Sequence, residues 1–336
     1  MSVFRQSIAI AIDKLHDVGD CRRQVAALAK ALDFGETTEG KTALVVTELA
    51  TNLVKHGGGG SIIVRGLPSA EYAGIEILSL DKGPGMDVER CLRDGYSTTG
   101  SPGTGLGAIS RLANTLDIYS LPGKGTVLAA SLWQLPFGKV APELDTGAVC
   151  LPIHGEHRCG DGWGLHQSHN RVRMMVSDGL GHGDLAAEVS DLAVATFIAR
   201  DDLGPGELLH ALNLVLKPTR GAAMAVLDID LETDILTFAG IGNIGACLFT
   251  GPRSRGMVSM NGIVGHQMRR VSEFTYPCGP DDVVMMHSDG VSPRWRMEDY
   301  PGLAFRSANL IAGTFYRDFG RLKDDATILT FRRRRP

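Results

Sequence analysis

Residues 43–60 read "ALVVTELATNLVKHGGGG", a helical stretch closed by a run of glycines. Val45, Val46, Leu49 and Leu53 recur at helical spacing and can face a core, which leaves Glu48 and Asn52, four residues apart, on a common polar face. A carboxylate beside an amide suits a Mg2+-dependent phosphate site: the amide oxygen can ligate the cation, and the carboxylate can take a proton or orient a nucleophile. An ordinary solvated helix face would read the same way, so the decision falls to the residues around it.

Downstream, "SLDKGPGMD" (79–87) sets Asp81 at the end of an apolar strand. Its carboxylate can accept from an exocyclic amine such as that of adenine, and Gly83 and Gly85 let the backbone approach a flat base. "TTGSPGTGLGAISRLA" (98–113) places Gly103, Gly105 and Gly107 before a helix, whose free N–H groups and dipole favour phosphate oxygens. Helical patterns are expected over 22–34 and 41–54, the second behind possible caps Thr37 and Thr38, and over 105–113. Strands are expected over 61–66, 74–80, 116–120 and 126–133. Helices gathered apart from an antiparallel sheet make an α/β sandwich, with the glycine-rich segment near 86–104 as a loop or lid.

Residues 135–144, "LPFGKVAPEL", carry Pro and Gly without periodicity and mark a boundary. The resulting division is a domain over 1–135, a linker over 136–145 and a second domain over 146–336. In the latter, strands are expected over 146–151, 162–166, 172–177, 222–229, 235–240, 246–250 and 282–287, with helices over 185–200, 206–216 and 304–319 and a closing strand "ATILTF". That pattern implies two packed sheets flanked by helices. Four aspartates stand at its strand ends or turns: Asp161 in "CGDGWG", Asp178 in "VSDGLGHG", Asp289 in "MHSDGV" and Asp324 in "KDDATILTF", with Asp325 the adjacent alternative. Adjacent hard cations need such carboxylates and open water positions, and a cation pair can activate water for attack on phosphorus.

E-x-x-x-N on the first helix, D-x-G-x-G after a strand and G-T-G-L-G opening a later helix together resemble the GHKL (Bergerat-fold) ATPases and kinases over residues 1–133. "DKGPGMD" and "GYSTTGSPGTGLGAISRLAN" look like their RsbT-type serine kinase and anti-sigma branch. The resemblance implies ATP and Mg2+, with Asn52 as Mg2+ ligand, Glu48 as base for the incoming hydroxyl and Asp81 as adenine contact. It sets Gly103, Gly105 and Gly107 on the phosphates and adds Lys55 and Thr126 as weaker contacts; His56 reads as a helix-end residue. The order of aspartates resembles the PPM metal-dependent Ser/Thr phosphatases, and "GAVCLPIHGEHRCGDGWG" with "VSDGLGHGDLAAEVS" looks closest to the RsbX and SpoIIE branch. Carried over, Asp178 bridges two Mn2+ or Mg2+ ions, the Gly179 carbonyl assists, and Asp161, Asp289 and Asp324 complete the pair. The fold class implied is α/β (α+β), a Bergerat α/β sandwich followed by a PPM-type α-β-β-α sandwich. Where many PPM enzymes carry a histidine two residues after the bridging Asp, this chain has Leu180; His182 does not take over the acid role, and Arg158 reads as a surface turn residue.

Relatives of both domains act on STAS-domain proteins, so the resemblance implies a switch that adds phosphate to Ser or Thr of a STAS-type regulator and removes it, with a sigma factor or stressosome component as further partner. The alternative is a phosphatase whose first domain is an ATP-dependent binding module without kinase activity. A net charge of −4 over 336 residues leaves no electrostatic footprint for nucleic acid, and "FRRRRP" at 331–336 reads as a solvated tail. No apolar run reaches the roughly 20 residues of a membrane helix and no export signal is evident, which with six scattered cysteines lacking CxxC pairs implies a cytoplasmic protein with reduced thiols. "CLPIHGEHRC" (150–159) offers Cys150, His154, His157 and Cys159 to zinc, but the spacing fits no common zinc module and includes Pro152, so it reads as a strand and turn.

Overall fold

The computed structural model describes residues 6–68, 72–91, 105–135, 145–168 and 170–333. Gly103, most of the lid segment (92–104), the linker residues 136–144, Arg334 and Arg335 lie outside the described residues. The chain divides into two compact units, essentially 7–144 and 145–336. No described helix is long and apolar enough to cross a membrane.

The first unit runs β1 (Ile8–Ile12), α1 (Leu15–Ala31), α2 (Glu36–Asn52), β2 (Gly60–Pro68), β3 (Ala73–Leu80), α3 (Val88–Cys91), α4 (Gly105–Leu112), β4 (Thr115–Leu121) and β5 (Gly125–Trp133). The strands form one antiparallel sheet in the order β1-β2-β3-β5-β4. α1 and α2 pack together through Cys21, Val25 and Ala29 and through Val45, Val46 and Leu49, all buried. β1 lies outside the expected strands, and both long helices start earlier than expected. α1 starts at Leu15, because the Asp17 carboxylate accepts from the N–H groups of Asp13 (2.9 Å) and Lys14 (2.8 Å) and so satisfies the helix start from inside the first turn. α2 is capped by Gly35, whose N–H donates to Gln134 Oε1 at 2.7 Å, so Thr37 and Thr38 lie inside the helix.

The second unit runs β6 (Thr146–Leu151), β7 (Asp161–Gln167), β8 (Arg171–Gly179), α5 (Asp184–Ala199), α6 (Pro205–Val215), β9 (Ala222–Asp230), β10 (Ile235–Ile241), β11 (Gly245–Thr250), β12 (Arg253–Gly256), β13 (Phe274–Pro277), β14 (Val283–His287), α7 (Ala308–Phe319) and β15 (Ala326–Arg332). Two antiparallel five-stranded sheets, β13-β10-β9-β8-β7 and β12-β11-β14-β15-β6, pack face to face. Strand alternation sorts their side chains. Val172, Met174 and Val176 of β8 and Ala225, Leu227 and Ile229 of β9 meet Leu248, Met286 and Leu329 between the sheets. On the opposite face, Met175, Met224 and Val226 meet Val189, Phe197, Leu208 and Leu212 of α5 and α6, while α7 covers β6 and β15. The layers are α-β-β-α. α7 begins at Ala308 rather than 304, since Leu303–Phe305 forms a separate 3-10 turn and Ala308 N–H donates to Asp145 Oδ1 at 2.7 Å.

Two arginine clasps hold this unit. Arg173 is 1% exposed: its Nε donates to Asp228 Oδ1 at 2.9 Å, and its Nη atoms donate to the carbonyls of Arg200 and Leu203 at 3.0 and 2.9 Å. At the C-terminal strand, the first two arginines of the supposed tail are structural. Arg332 is buried, pairs with Asp145 at 3.2 Å and donates to the carbonyls of Ala304 and Arg306, while Arg333 pairs with Asp234. Charged groups are buried here because backbone carbonyls and carboxylates take every direction of the guanidinium fork. Arg173→Ala should lower stability by about 2–4 kcal/mol, because the Arg200 and Leu203 carbonyls lose their buried donor and Asp228 keeps only the partly exposed Arg171; thermal unfolding of the variant checks this.

Candidate functional site

In the first unit α2 sets Glu48 and Asn52 toward the start of α4. A Cβ at Gly105 would stand 3.0 Å from Glu48 Oε2 and 3.8 Å from Asn52 Oδ1, so glycine is what lets the helix start approach this pair. Past Asn52 the helix widens into a π-helical turn, Leu53–Gly57, ended by Gly58 in the left-handed conformation (φ 71°). That turn carries the exposed Lys55 and brings Gly57 against Asp81, where a Cβ would stand 2.9 Å from the Asp81 Cβ. Asp81 Oδ1 accepts from the N–H groups of Gly83 (2.9 Å) and Thr126 (3.1 Å), which fixes the carboxylate just beyond β3.

Gly85 sits at φ +76° with its open side 2.4 Å from the Leu121 carbonyl. Ser120, which carries no motif signal, joins the strands below: its Oγ accepts from Met86 N–H at 2.8 Å and lies 3.0 Å from Thr126 Oγ1. The structure therefore gathers Glu48, Asn52 and Gly105 at one helix start, and Asp81, Gly83 and Thr126 at the neighbouring strand end. Gly107 is buried within α4. A fixed carboxylate, close-approach glycines and a helix N-terminus form a set of donors and acceptors that fits a purine nucleotide and its phosphates.

In the second unit the sheets deliver their aspartates to one end. Asp161 and Asp178 are cross-strand partners at the start of β7 and the end of β8, Asp289 follows β14, and Asp324 and Asp325 precede β15. Burial, then the charges of Asp289, Asp324 and Asp325, push the Asp178 carboxyl up to about 7. Burial and Asp178 raise Asp161 well above the carboxylate range, and burial and Asp324 raise Asp289. Such shifts mark like charge held close in a buried place, a set that fits divalent cations. Among the described residues no three His, Cys, Asp or Glu side chains close on one point as a finished ligand set, Cys150, His154, His157 and Cys159 included. The crowded carboxylates suit cations that keep part of their own water.

The adjacent pair Asp324 and Asp325 separates by geometry. Asp325 accepts from Ile153 N–H at 2.8 Å through Oδ1 and from Gly160 N–H at 2.9 Å through Oδ2, so it ties down the loop before β7. Asp161 is likewise engaged, accepting from Ser288 Oγ at 2.6 Å. Asn243 Nδ2 donates to Asp289 Oδ2 at 2.7 Å. Neither Ser288 nor Asn243 stood out in the sequence, although Ser288 directly precedes Asp289. Gly179 has no room for a side chain, because a Cβ would stand 2.4 Å from the Ala186 carbonyl. His182 pairs with Glu156 at 2.8 Å, and Arg158 is committed to Asp191 at 2.7 Å and Asp184 at 3.6 Å.

Residues 13–132 match the family model of the histidine kinase-like ATPase domain, and residues 168–334 match that of stage II sporulation protein E. The serine/threonine-protein kinase RsbT of Bacillus subtilis (strain 168) is 31% identical over 118 residues, covering 35% of this chain and 89% of the relative. The phosphoserine phosphatase RsbX of the same organism is 25% identical over 146 residues, covering 42% of this chain and 72% of the relative. A solved chain from work on the bacterial stressosome, described as a modular system adapted to control secondary messenger signaling, superposes with a TM-score of 0.53 at 23% identity, over 57% of this chain and 100% of its own; that likeness speaks for the fold. Through its first unit the chain belongs to the RsbT family of histidine kinase-like ATPases, and it joins that kinase-type domain to a SpoIIE-type PPM phosphatase domain.

Proposed function

We propose that the chain is a two-way signalling switch whose first unit phosphorylates Ser or Thr of a STAS-type regulator with ATP and Mg2+, and whose second unit removes such a phosphate. The observation that carries this reading is the approach of Gly105 to Glu48 and Asn52: a module that only bound nucleotide would have no need of a carboxylate beside the amide at the phosphate-facing helix start. In this reading Asn52 holds Mg2+, Glu48 takes the proton of the incoming hydroxyl, Asp81 orients the adenine amine, and Gly83, Gly85, Gly103, Gly105 and Gly107 admit base and phosphates, with Lys55 and Thr126 at the edge.

In the second unit Asp178, the Gly179 carbonyl, Asp289 and Asp324, together with Asp161, would hold two divalent cations, Mn2+ or Mg2+. When bound, the cations supply Lewis acidity and an activated water. Asp325 positions the 153–160 loop. The relatives RsbT, a kinase, and RsbX, a phosphoserine phosphatase, together with the shared fold of the stressosome structure, support a place in a stressosome-type circuit, in which a sigma factor is the further partner this reading implies.

Incubation of STAS-domain proteins encoded beside this chain with labelled ATP and Mg2+ should give transfer that falls at least about 100-fold in Glu48→Ala and persists in Asp178→Asn, which should instead lose removal of the label. ATP binding without transfer to any such protein would sink the kinase reading. A second measurement concerns the cations. Mn2+ or Mg2+ added to chelator-treated protein should raise its melting temperature, by about 2.7 kcal/mol of stability at a hundredfold excess over Kd. Asp178→Asn should raise the melting temperature of the metal-free chain by relieving like charge, and should abolish the gain on adding metal.

A further inference from the structure

The arginines of the second unit differ in where they stand and in what they already hold. Arg158 is spent on Asp184 and Asp191, and Arg171 and Arg173 are spent on Asp228. Arg321 donates through its backbone N–H to the Gly290 carbonyl at 2.8 Å, and among the described residues its guanidinium makes no ion pair or hydrogen bond. The Arg220 guanidinium is likewise without an ion pair or hydrogen bond among the described residues, and it is the one placed against the turn that follows Asp178, with Nη1 2.9 Å from where a Cβ on Gly181 would stand.

The backbone beneath Arg220 is held from several sides. Gly179 and Ala222 are register partners of β8 and β9, and Leu180 N–H donates to the Gly221 carbonyl at 3.0 Å. Gly221 lies at φ +78°, where a Cβ would stand 2.6 Å from the Val264 carbonyl, and its N–H donates to Thr219 Oγ1 at 3.1 Å. His266 Nε2 lies 2.9 Å from the Thr219 carbonyl, and Ala222 and Val264 exchange backbone hydrogen bonds at 3.1 and 2.9 Å. A fixed backbone thus presents an uncommitted planar fork beside a cluster of acids that cations would neutralise. The ligand such a fork matches in two-point geometry is a phosphoryl group.

We infer that Arg220 binds the phosphoryl group of the substrate at the mouth of the carboxylate cluster, an assignment that rests on the phosphatase reading of the second unit. It supplies the phosphate-holding arginine that the sequence does not mark, from the β9 side of the site rather than from the 150–161 stretch.

The full chain loaded with Mn2+ provides the test, with p-nitrophenyl phosphate as substrate and inorganic phosphate as ligand. Arg220→Ala should raise KM, and the phosphate inhibition constant with it, by about 10- to 100-fold, with a smaller change in kcat. Arg220→Lys should recover part of the loss, and the Mn2+ half-saturation and the melting temperature should stay at wild-type values. Calorimetric titration of phosphate into the Mn2+-loaded chain reads the same loss without turnover, so a wild type that binds phosphate but fails to hydrolyse the ester would count against the phosphatase reading and leave the Arg220 assignment to the binding data. Unchanged phosphate affinity in Arg220→Ala overturns the assignment. So does a shifted Mn2+ requirement or melting temperature with KM unmoved, the mark of a residue that only shapes the turn.

Discussion

Like charge buried at the common end of two sheets is the constraint around which the second unit is arranged. Asp161, Asp178, Asp289, Asp324 and Asp325 arrive from four strand ends, and burial alone would forbid so many ionised carboxylates. Two are quieted within the protein, Asp325 by the N–H groups of Ile153 and Gly160 and Asp161 by the hydroxyl of Ser288. Asp289 accepts from the Asn243 amide and Asp324 from the Asp325 N–H at 3.0 Å, while among the described residues Asp178 has no such donor. Glycines follow from the same crowding: a side chain at Gly160 would meet Asp325 Oδ2 at 2.6 Å, and one at Gly290 would meet the Asp325 carbonyl at 1.8 Å. Packing and chemistry are one problem here, since the strands can reach this end only where backbone replaces side chain.

The first unit solves a different problem with similar residues. Asp81, like Asp178, opens a glycine-rich turn, but its Oδ1 is held by backbone N–H groups of Gly83 and Thr126. It has been given a direction and no cluster of acids. Asp178 has the cluster and, among the described residues, no backbone donor to quiet it. The surroundings of each carboxylate, rather than the Asp-Gly turn itself, separate a group suited to an exocyclic amine from one suited to cations.

Much of this was readable from the residues alone. Periodicity located α2, α5, α6 and the central strands, because their apolar faces are continuous and deeply buried. β12, with every residue exposed, and the four-residue β13 carry no alternation and went unmarked; they exist because neighbouring strands offer open edges. The site aspartates were legible through their position at strand ends. Ser288, Asn243 and the division of labour between Asp324 and Asp325 were not, since each depends on a contact across tens or hundreds of residues. The arginine run at 332–335 misled for the same reason. Arg332 and Arg333 find Asp145 and Asp234, partners that no local pattern announces.

The place of β15 has a further consequence. It lies between β14 and β6, so the first strand of the second unit waits for a partner about 180 positions later in the chain, and that late segment also brings Asp324. Synthesis proceeds from the N-terminus, and domains fold as units once their strands are available. During each round of translation the nucleotide-handling half can therefore mature while its opposing half is still an open sheet. A newborn molecule passes through a period in which only one direction of the proposed switch can exist, and a prematurely released chain would remain in it.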